Sequence, residues 1–154
     1  MTRYLVTGGN GFIGSNLIIR LLKNKNNKIL NVDKKILNNK FSQNLIFKKY
    51  NNYSFKNCNI CNVNKIRKIV LNFKPDKIFH LAAESHVDTS IKNPIKFINS
   101  NILGTYNMLN AAKELNIKNK KKFLFIHVST DEVYGSLNRL EKSFTEDSPY
   151  KPNS

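Results

Sequence analysis

The chain is short of acid. Ten Asp and Glu stand against 26 Lys and Arg in 154 residues, a formal net charge of +16. It is short of arginine too: Arg3, Arg20, Arg67 and Arg139 are the full set. Nucleic-acid readers favour Arg for bidentate contacts and interleave aromatics with their basic residues. Here the lysines sit singly or in pairs, in turns and on helix faces. The one dense run, Lys118-Asn119-Lys120-Lys121-Lys122, reads as a loop between a helix and a strand. A polyanion partner is one reading of the charge. A compositional bias toward Lys, Asn and Ile is the other, and it is preferred, so no nucleic-acid partner is expected. No run approaches the ~20 apolar residues of a membrane span, so no membrane partner is expected either. Met1-Thr2-Arg3 leads straight into an apolar strand with no secretory h-region, which makes the cytoplasm the expected address. Cysteine is limited to Cys58 and Cys61. A C-x-x-C spacing serves zinc only with a second ligand pair, and redox work only in a thioredoxin-like context. His80, His86 and His127 do not follow zinc spacing. Two reduced thiols near a strand end are expected, and no metal.

What is present is alternation of strand-like and helix-like segments. Arg3 to Thr7 reads as strand one, and Gly14 to Leu22 carries apolar residues on a helical period. Lys28 to Asp33 is strand two. Lys34 to Asn52 is Lys/Asn-rich and weakly patterned, a loop with room for a short helix. Tyr53 to Cys58 is the third strand. Asn64 to Phe73 reads as a helix with Ile66, Ile69, Val70 and Phe73 on one face. Lys77 to Ala83 is the fourth strand, near-continuously apolar as a buried parallel strand should be. Ile95 to Leu115 is the longest helical pattern, with Ile98, Ile102, Leu109 and Ala112 marking its apolar side. Pro94 sits at its start, where a missing N–H does no harm. Lys122 to Ser129 is the fifth strand. His80 and His127, inside apolar strands, are expected to be satisfied core histidines. After Gly135 the chain is polar and irregular. Five strands alternating with helices predict an α/β fold, a doubly wound parallel sheet in three αβα layers, as one domain spanning residues 1–154.

The first turn carries the clearest chemistry. Thr7-Gly8-Gly9-Asn10-Gly11-Phe12-Ile13-Gly14 spaces its glycines as G-x-x-G-x-x-G. A dinucleotide pyrophosphate is stabilised by helix N-terminal amides and the positive end of the helix dipole. Gly8 suits the tight exit from the strand, Gly11 a close approach of backbone to phosphate, and Gly14 close packing of helix on sheet. Asp33 ends strand two about 20 residues on, where an acid accepts hydrogen bonds from the adenosine ribose. Its charge would repel a 2′-phosphate, so the expected cofactor is NAD. Lys34 next door pulls in the opposite direction.

The same spacing resembles the extended short-chain dehydrogenase/reductase family, and two later segments narrow the resemblance. Leu81-Ala82-Ala83-Glu84-Ser85-His86-Val87-Asp88 is similar to the signature after strand four of dTDP-glucose 4,6-dehydratases. Ser129-Thr130-Asp131-Glu132-Val133-Tyr134-Gly135 is similar to the catalytic segment of that family, and Asn101-Ile102-Leu103-Gly104-Thr105-Tyr106 to its long helix. The resemblance implies a three-step reaction on dTDP-glucose. A hydride leaves C4 of the sugar for the cofactor, water is eliminated across C5 and C6, and the hydride returns to C6. By the resemblance Glu132 is the base for the C5 proton, Asp131 the acid for the departing C6 hydroxyl, and Thr130 a hydrogen-bond partner of the C4 oxygen. It places Leu81, Ala82, Ala83 and Ser85 along the cofactor, with Ser85 also touching substrate. Phe12, Ile13, Lys34, Asn59, Ile60 and Ser100 complete the implied cofactor set.

Two departures from the family pattern stand out. An Asp-Ile pair is usual after strand three, and here it is Asn59-Ile60. The family's Tyr-x-x-x-Lys should follow Pro149-Tyr150-Lys151-Pro152, and Tyr150 and Lys151, being adjacent, cannot be that pair. The resemblance therefore implies an N-terminal fragment of a homodimeric enzyme, without its substrate domain and with little turnover alone. Another sugar-nucleotide dehydratase, epimerase or decarboxylase, and a non-catalytic dinucleotide-binding module, are the alternatives.

Overall fold

The structure is a computed structural model. It describes residues 1–34, 47, 49–119, 123–138 and 142–153. Five strands make one sheet: β1 (Thr2–Thr7), β2 (Asn27–Asp33), β3 (Tyr53–Asn57), β4 (Lys77–His80) and β5 (Leu124–His127). Their order is β3-β2-β1-β4-β5. Every pairing is parallel, and β1 registers Leu5 against both Leu30 and Ile78. Parallel neighbours require crossovers, which are supplied by α1 (Phe12–Leu22), α2 (Val63–Phe73) and the helical run after β4. The order reverses at β1, between β2 and β4, and ligand crevices in such sheets open there, beyond the strand carboxyl ends.

Alternation along each strand feeds two cores. Leu5, Leu30, Val32 and Ile78 pack with Ile66 and Val70 of α2 and with Met108, Ala111 and Leu115 on one face. Val6 and Ile29 pack with Ile18, Leu22 and Phe47 on the other. The expected three layers are present, with the sheet covered on both sides. Each fully buried branched side chain contributes about 1.5–3 kcal/mol over exposure. The α2 boundaries are set locally. Asn62 accepts from the Lys65 amide at 3.0 Å, and Lys74 stops the helix in the left-handed region at φ +48°. Pro75 follows, a residue that disfavours helical backbone before it.

The long helix departs from expectation. It is broken into α3 (Val87–Lys92), α4 (Pro94–Phe97), a π-helical stretch (Ile98–Gly104) and α5 (Thr105–Asn119). Wider π turns shift the face that meets the sheet. Ser100, Gly104, Met108, Ala111, Ala112 and Leu115 are buried, whereas Ile98, Ile102 and Leu109 are exposed. Of the predicted apolar side only Ala112 is inside. The fourth and fifth strands are also shorter than predicted: Leu81-Ala82-Ala83 and Val128-Ser129 have left the ladder. His127 is exposed on β5 and is not a core histidine. The predicted loop from Lys34 to Asn52 falls mostly outside the described residues.

Ile66→Ala, at a position with no exposed surface, should cost about 2–5 kcal/mol in urea unfolding. Ile19→Ala, on an exposed part of α1, should stay within about 0.5 kcal/mol of the parent.

Candidate functional site

A cleft of about 460 Å³ lies across the carboxyl ends of β2, β1, β4 and β5. Its floor is the Gly8–Gly14 turn. Gly8 has φ +71°, and a Cβ there would stand 2.8 Å from the Ala82 backbone nitrogen. A Cβ on Gly14 would reach 2.3 Å from the Gly8 carbonyl oxygen. The turn is therefore open only to glycine at both points. Gly11 begins α1 with no side-chain cap, so the first-turn amides face the cleft without a competing side-chain acceptor.

The turn is wired to the neighbouring strand end. The Asn10 amide donates to Asp33 Oδ2 at 3.0 Å, and Asn31 Nδ2 donates to Asn10 Oδ1 at 2.8 Å. Tyr53 sits behind these groups. Burial pushes its hydroxyl up to about 12, the Asn31 hydrogen bond opposes the shift, and the Asp33 charge adds to it.

Opposite the turn, Leu81 to Ser85 forms the second wall, and a buried relay sets its backbone. The Ala82 amide donates to Thr7 Oγ1 at 3.2 Å. Thr7 Oγ1 lies 2.7 Å from His80 Nδ1, and His80 Nε2 lies 3.0 Å from Thr105 Oγ1. The neutral ring donates through one nitrogen and accepts through the other, so both are satisfied by the two threonine hydroxyls. His80 is 1% exposed. Burial, with the stacked His127 ring adding to it, pushes its pKa down to about 4. It works as a neutral spacer between β1 and α5.

All fourteen residues named from the sequence as cofactor contacts line this cleft: Gly8, Gly11, Phe12, Ile13, Gly14, Asp33, Lys34, Asn59, Ile60, Leu81, Ala82, Ala83, Ser85 and Ser100. The π-helical stretch carries Ser100, only 7% exposed, to its position on the wall. Thr130 also lines the cleft. Asp131 and Glu132 do not. They are exposed on a 3₁₀ turn (Asp131–Val133) whose first amides are capped by Thr130, with Oγ1 accepting from Glu132 N at 3.2 Å. That turn is tied down by the segment after it. Lys151 N donates to the Val133 carbonyl at 3.0 Å, and Tyr134 packs between Phe144 and Tyr150.

Sequence reasoning passed over Asn10, Glu84, Cys58 and Ser129, which also line the cleft. Asn10 and Glu84 were legible in principle, as polar residues inside the two quoted motifs. Cys58 and Cys61 are free thiols, as expected. Burial raises the Cys58 thiol, with Lys65 opposing, which makes it less reactive. No group of three or more metal-ligating side chains occurs among the described residues. A second hollow of about 540 Å³ lies beside α2 and α5, lined by Arg67, Lys68, Lys74 and Lys118. No strand end opens into it. Glu114 already engages Arg67 at 2.6 Å and Lys118 at 2.8 Å, so two of the cations of this hollow are paired.

Relatives decide the family. The sequence model for GDP-mannose 4,6 dehydratase matches residues 5–154. The chain belongs to that family. It is 44% identical over 160 residues to a dTDP-glucose 4,6-dehydratase of Haemophilus influenzae, covering 100% of this chain and 47% of that protein. The corresponding protein of Salmonella typhimurium is 40% identical over 164 residues, covering 99% of this chain and 45% of the relative. Among solved structures, a dTDP-glucose 4,6-dehydratase from Streptomyces venezuelae with NAD and TYD bound superposes with a TM-score of 0.84. That alignment has 32% identity and covers 99% of this chain and 46% of the other. The chain thus spans less than half the length of the relatives it matches. Among the described residues no helix is long and apolar enough to cross a membrane.

His80 has a folded pKa below its unfolded value of about 6.5, so the unfolded chain binds its proton first. The stability contributed by neutral His80 should be intact above pH 6.5 and decline by about 3 kcal/mol as pH falls to 4. Urea unfolding between pH 7 and 5, above most carboxylate titration, should show this slope, and His80→Gln should flatten it.

Proposed function

We propose that residues 1–154 form the NAD-binding domain of a sugar-nucleotide 4,6-dehydratase acting on dTDP-glucose. One observation carries the reading: the glycine turn, the Leu81–Ser85 wall and Ser129-Thr130 line a single cleft at the point where the strand order reverses. The cleft suits a dinucleotide. Its floor is a cradle that a Cβ at Gly8 or Gly14 would fill, and an acid stands at the end of β2. The amides at the start of α1 would hold the pyrophosphate. Asp33 would accept from the adenosine ribose, and Asn59 would stand on the adenine side, where the family usually has Asp. Ala82 and Ala83 leave room for the nicotinamide ribose, and Ser85 and Ser100 supply hydroxyls along the way. Bound there, NAD would supply the hydride acceptor and donor for the sugar.

The remaining work falls to the segment after β5. Thr130 donates to the C4 oxygen at the cleft wall. At C4 the hydride would pass to the dinucleotide while the hydroxyl proton passes to a base supplied by a substrate-binding portion. The C4 ketone acidifies the C5 proton, which Glu132 removes and gives back to C5 when hydride is returned to C6. Asp131 protonates the C6 hydroxyl as it departs. The elimination asks one carboxyl to act as base and the other as acid. Their exposure on the rim fits groups that are covered only when sugar is bound. The complete reaction is proposed for this domain acting with a substrate-binding portion, since the relatives are more than twice as long. A homodimer fits the apolar surface that Ile95, Ile102, Tyr106 and Leu109 leave exposed along the helical run.

Calorimetry should show saturable NAD binding by the chain. Asp33→Ala should weaken it about tenfold or more, the worth of one or two hydrogen bonds to a charged group. In the complete enzyme, mass spectrometry should find a product lighter by one water. Glu132→Gln should lower its formation about 10²–10⁴-fold. A product of unchanged mass would assign an epimerase in place of a dehydratase, and absence of NAD binding would remove the cofactor reading.

A further inference from the structure

Lys34 follows the ribose acid Asp33 directly, and both line the cleft. A cation in that place would ordinarily attract a 2′-phosphate, against the preference set by Asp33. The structure shows where its charge goes. The Lys34 ammonium is ion-paired and hydrogen-bonded to Glu84 Oε1, on the wall after β4. Lys96 of α4 approaches the other carboxylate oxygen, Oε2, at 3.4 Å. The Glu84 side chain is only 13% exposed.

The carboxylate is held in place through its backbone. The Glu84 amide donates to Asn101 Oδ1 at 2.8 Å, and Asn101 Nδ2 donates to the Glu84 carbonyl at 2.9 Å. This reciprocal pair fixes one residue of the wall to the π-helical stretch. Burial pushes the Glu84 carboxyl up, but its bonds to Lys34 and the charges of Lys34 and Lys96 outweigh burial, and the group lies below its ordinary value. It is ionised at neutral pH. Glu84 is the more covered partner, so its carboxylate is less screened by solvent than the Lys34 ammonium.

We propose that Glu84 is a specificity-determining residue that neutralises Lys34 and so excludes 2′-phosphorylated dinucleotides. The inference rests on the reading of the cleft as a dinucleotide site and extends it to a second acid. A 2′-phosphate carries nearly two negative charges at neutral pH. Entering here, it meets Asp33 and Glu84 together. To recruit Lys34 it must break the Lys34–Glu84 pair and leave a carboxylate short of one partner in a partly buried wall. NAD has two ribose hydroxyls in this place and needs no cation. On this account Asp33 selects for the hydroxyls, and Glu84 removes the one nearby charge that would work against that selection.

The test is a titration of the chain with NAD and with NADP, for the parent, Glu84→Gln and the double variant Lys34→Gln/Glu84→Gln. Gln keeps the size of Glu and the backbone clamp to Asn101. In Glu84→Gln the affinity for NADP relative to NAD should rise about tenfold, the scale of one released charge in a screened cleft. The gain should vanish in the double variant and shrink in high salt. An unchanged NAD:NADP ratio in Glu84→Gln, or a gain that survives loss of Lys34, overturns the proposal and leaves NAD binding standing. Failure of the parent to bind either dinucleotide overturns both. Glu84→Ala, which removes the pair without adding an amide, should move the ratio in the same direction and serves if the Gln variant is unstable.

Discussion

The turn after β1 passes so near the strand exit at Leu81-Ala82 that no side chain fits between them. A Cβ on Gly8 would lie 2.8 Å from the Ala82 nitrogen, closer than packed atoms approach. This contact brings the start of α1 against the wall that follows β4, and the cleft is the space left beside it. Asp33 reaches that space because β2 is registered on β1 through Thr7 and Val32, one residue short of its carboxylate. Ser85 and Glu84 reach it because β4 stops pairing at His80. Displacing the glycine turn would separate the acid from the wall even with every hydrophobic contact kept.

The parts of this arrangement that could be read from the sequence were those with local causes. Gly8 and Gly14 have fixed places because the turn and the helix packing forbid a side chain there, and Gly11 lies between them, where a Cβ would stand 3.2 Å from the Gly8 carbonyl oxygen. Asp33 was legible because a βα turn and its crossover have a nearly constant length. The periodicity of α2 predicted Ile66, Val70 and Phe73 inside, and they are buried. The motif after β4 led to Leu81, Ala82, Ala83 and Ser85, which stand together in the cleft.

What stayed hidden depends on tertiary contacts. The π-helical stretch from Ile98 to Gly104 contains no Pro, and its Asn and Gly residues do not by themselves announce a wider turn. Its effect is to change which residues face the sheet, so the simple helical period put Ile98, Ile102 and Leu109 on the wrong side. His127 lay in an apolar run that looked like the centre of a sheet, but among the described residues β5 is the outermost strand. The placement of Asp131 and Glu132 on an exposed 3₁₀ turn follows from capping by Thr130 and from packing of Tyr134 against Phe144 and Tyr150. Neither is encoded in the triplet itself. The Lys34–Glu84 pair joins residues fifty positions apart, beyond the reach of any spacing rule.

The strand order also governs when the cleft comes into being. β1 leaves first in the sequence and ends in the middle of the sheet, where the Arg3 amide bonds to Asp76, 73 positions away. Parallel pairing of this range is entropically late, because long loops must close before the ladder rewards them. The glycine turn can form as soon as β1 and α1 meet, but its opposite wall arrives only with β4. An emerging or partly unfolded chain therefore carries half a crevice. The residues that grip a ligand from both sides become a pair in the same cooperative event that completes the core, so a bound ligand would hold the two ends of that long loop together and slow its reopening.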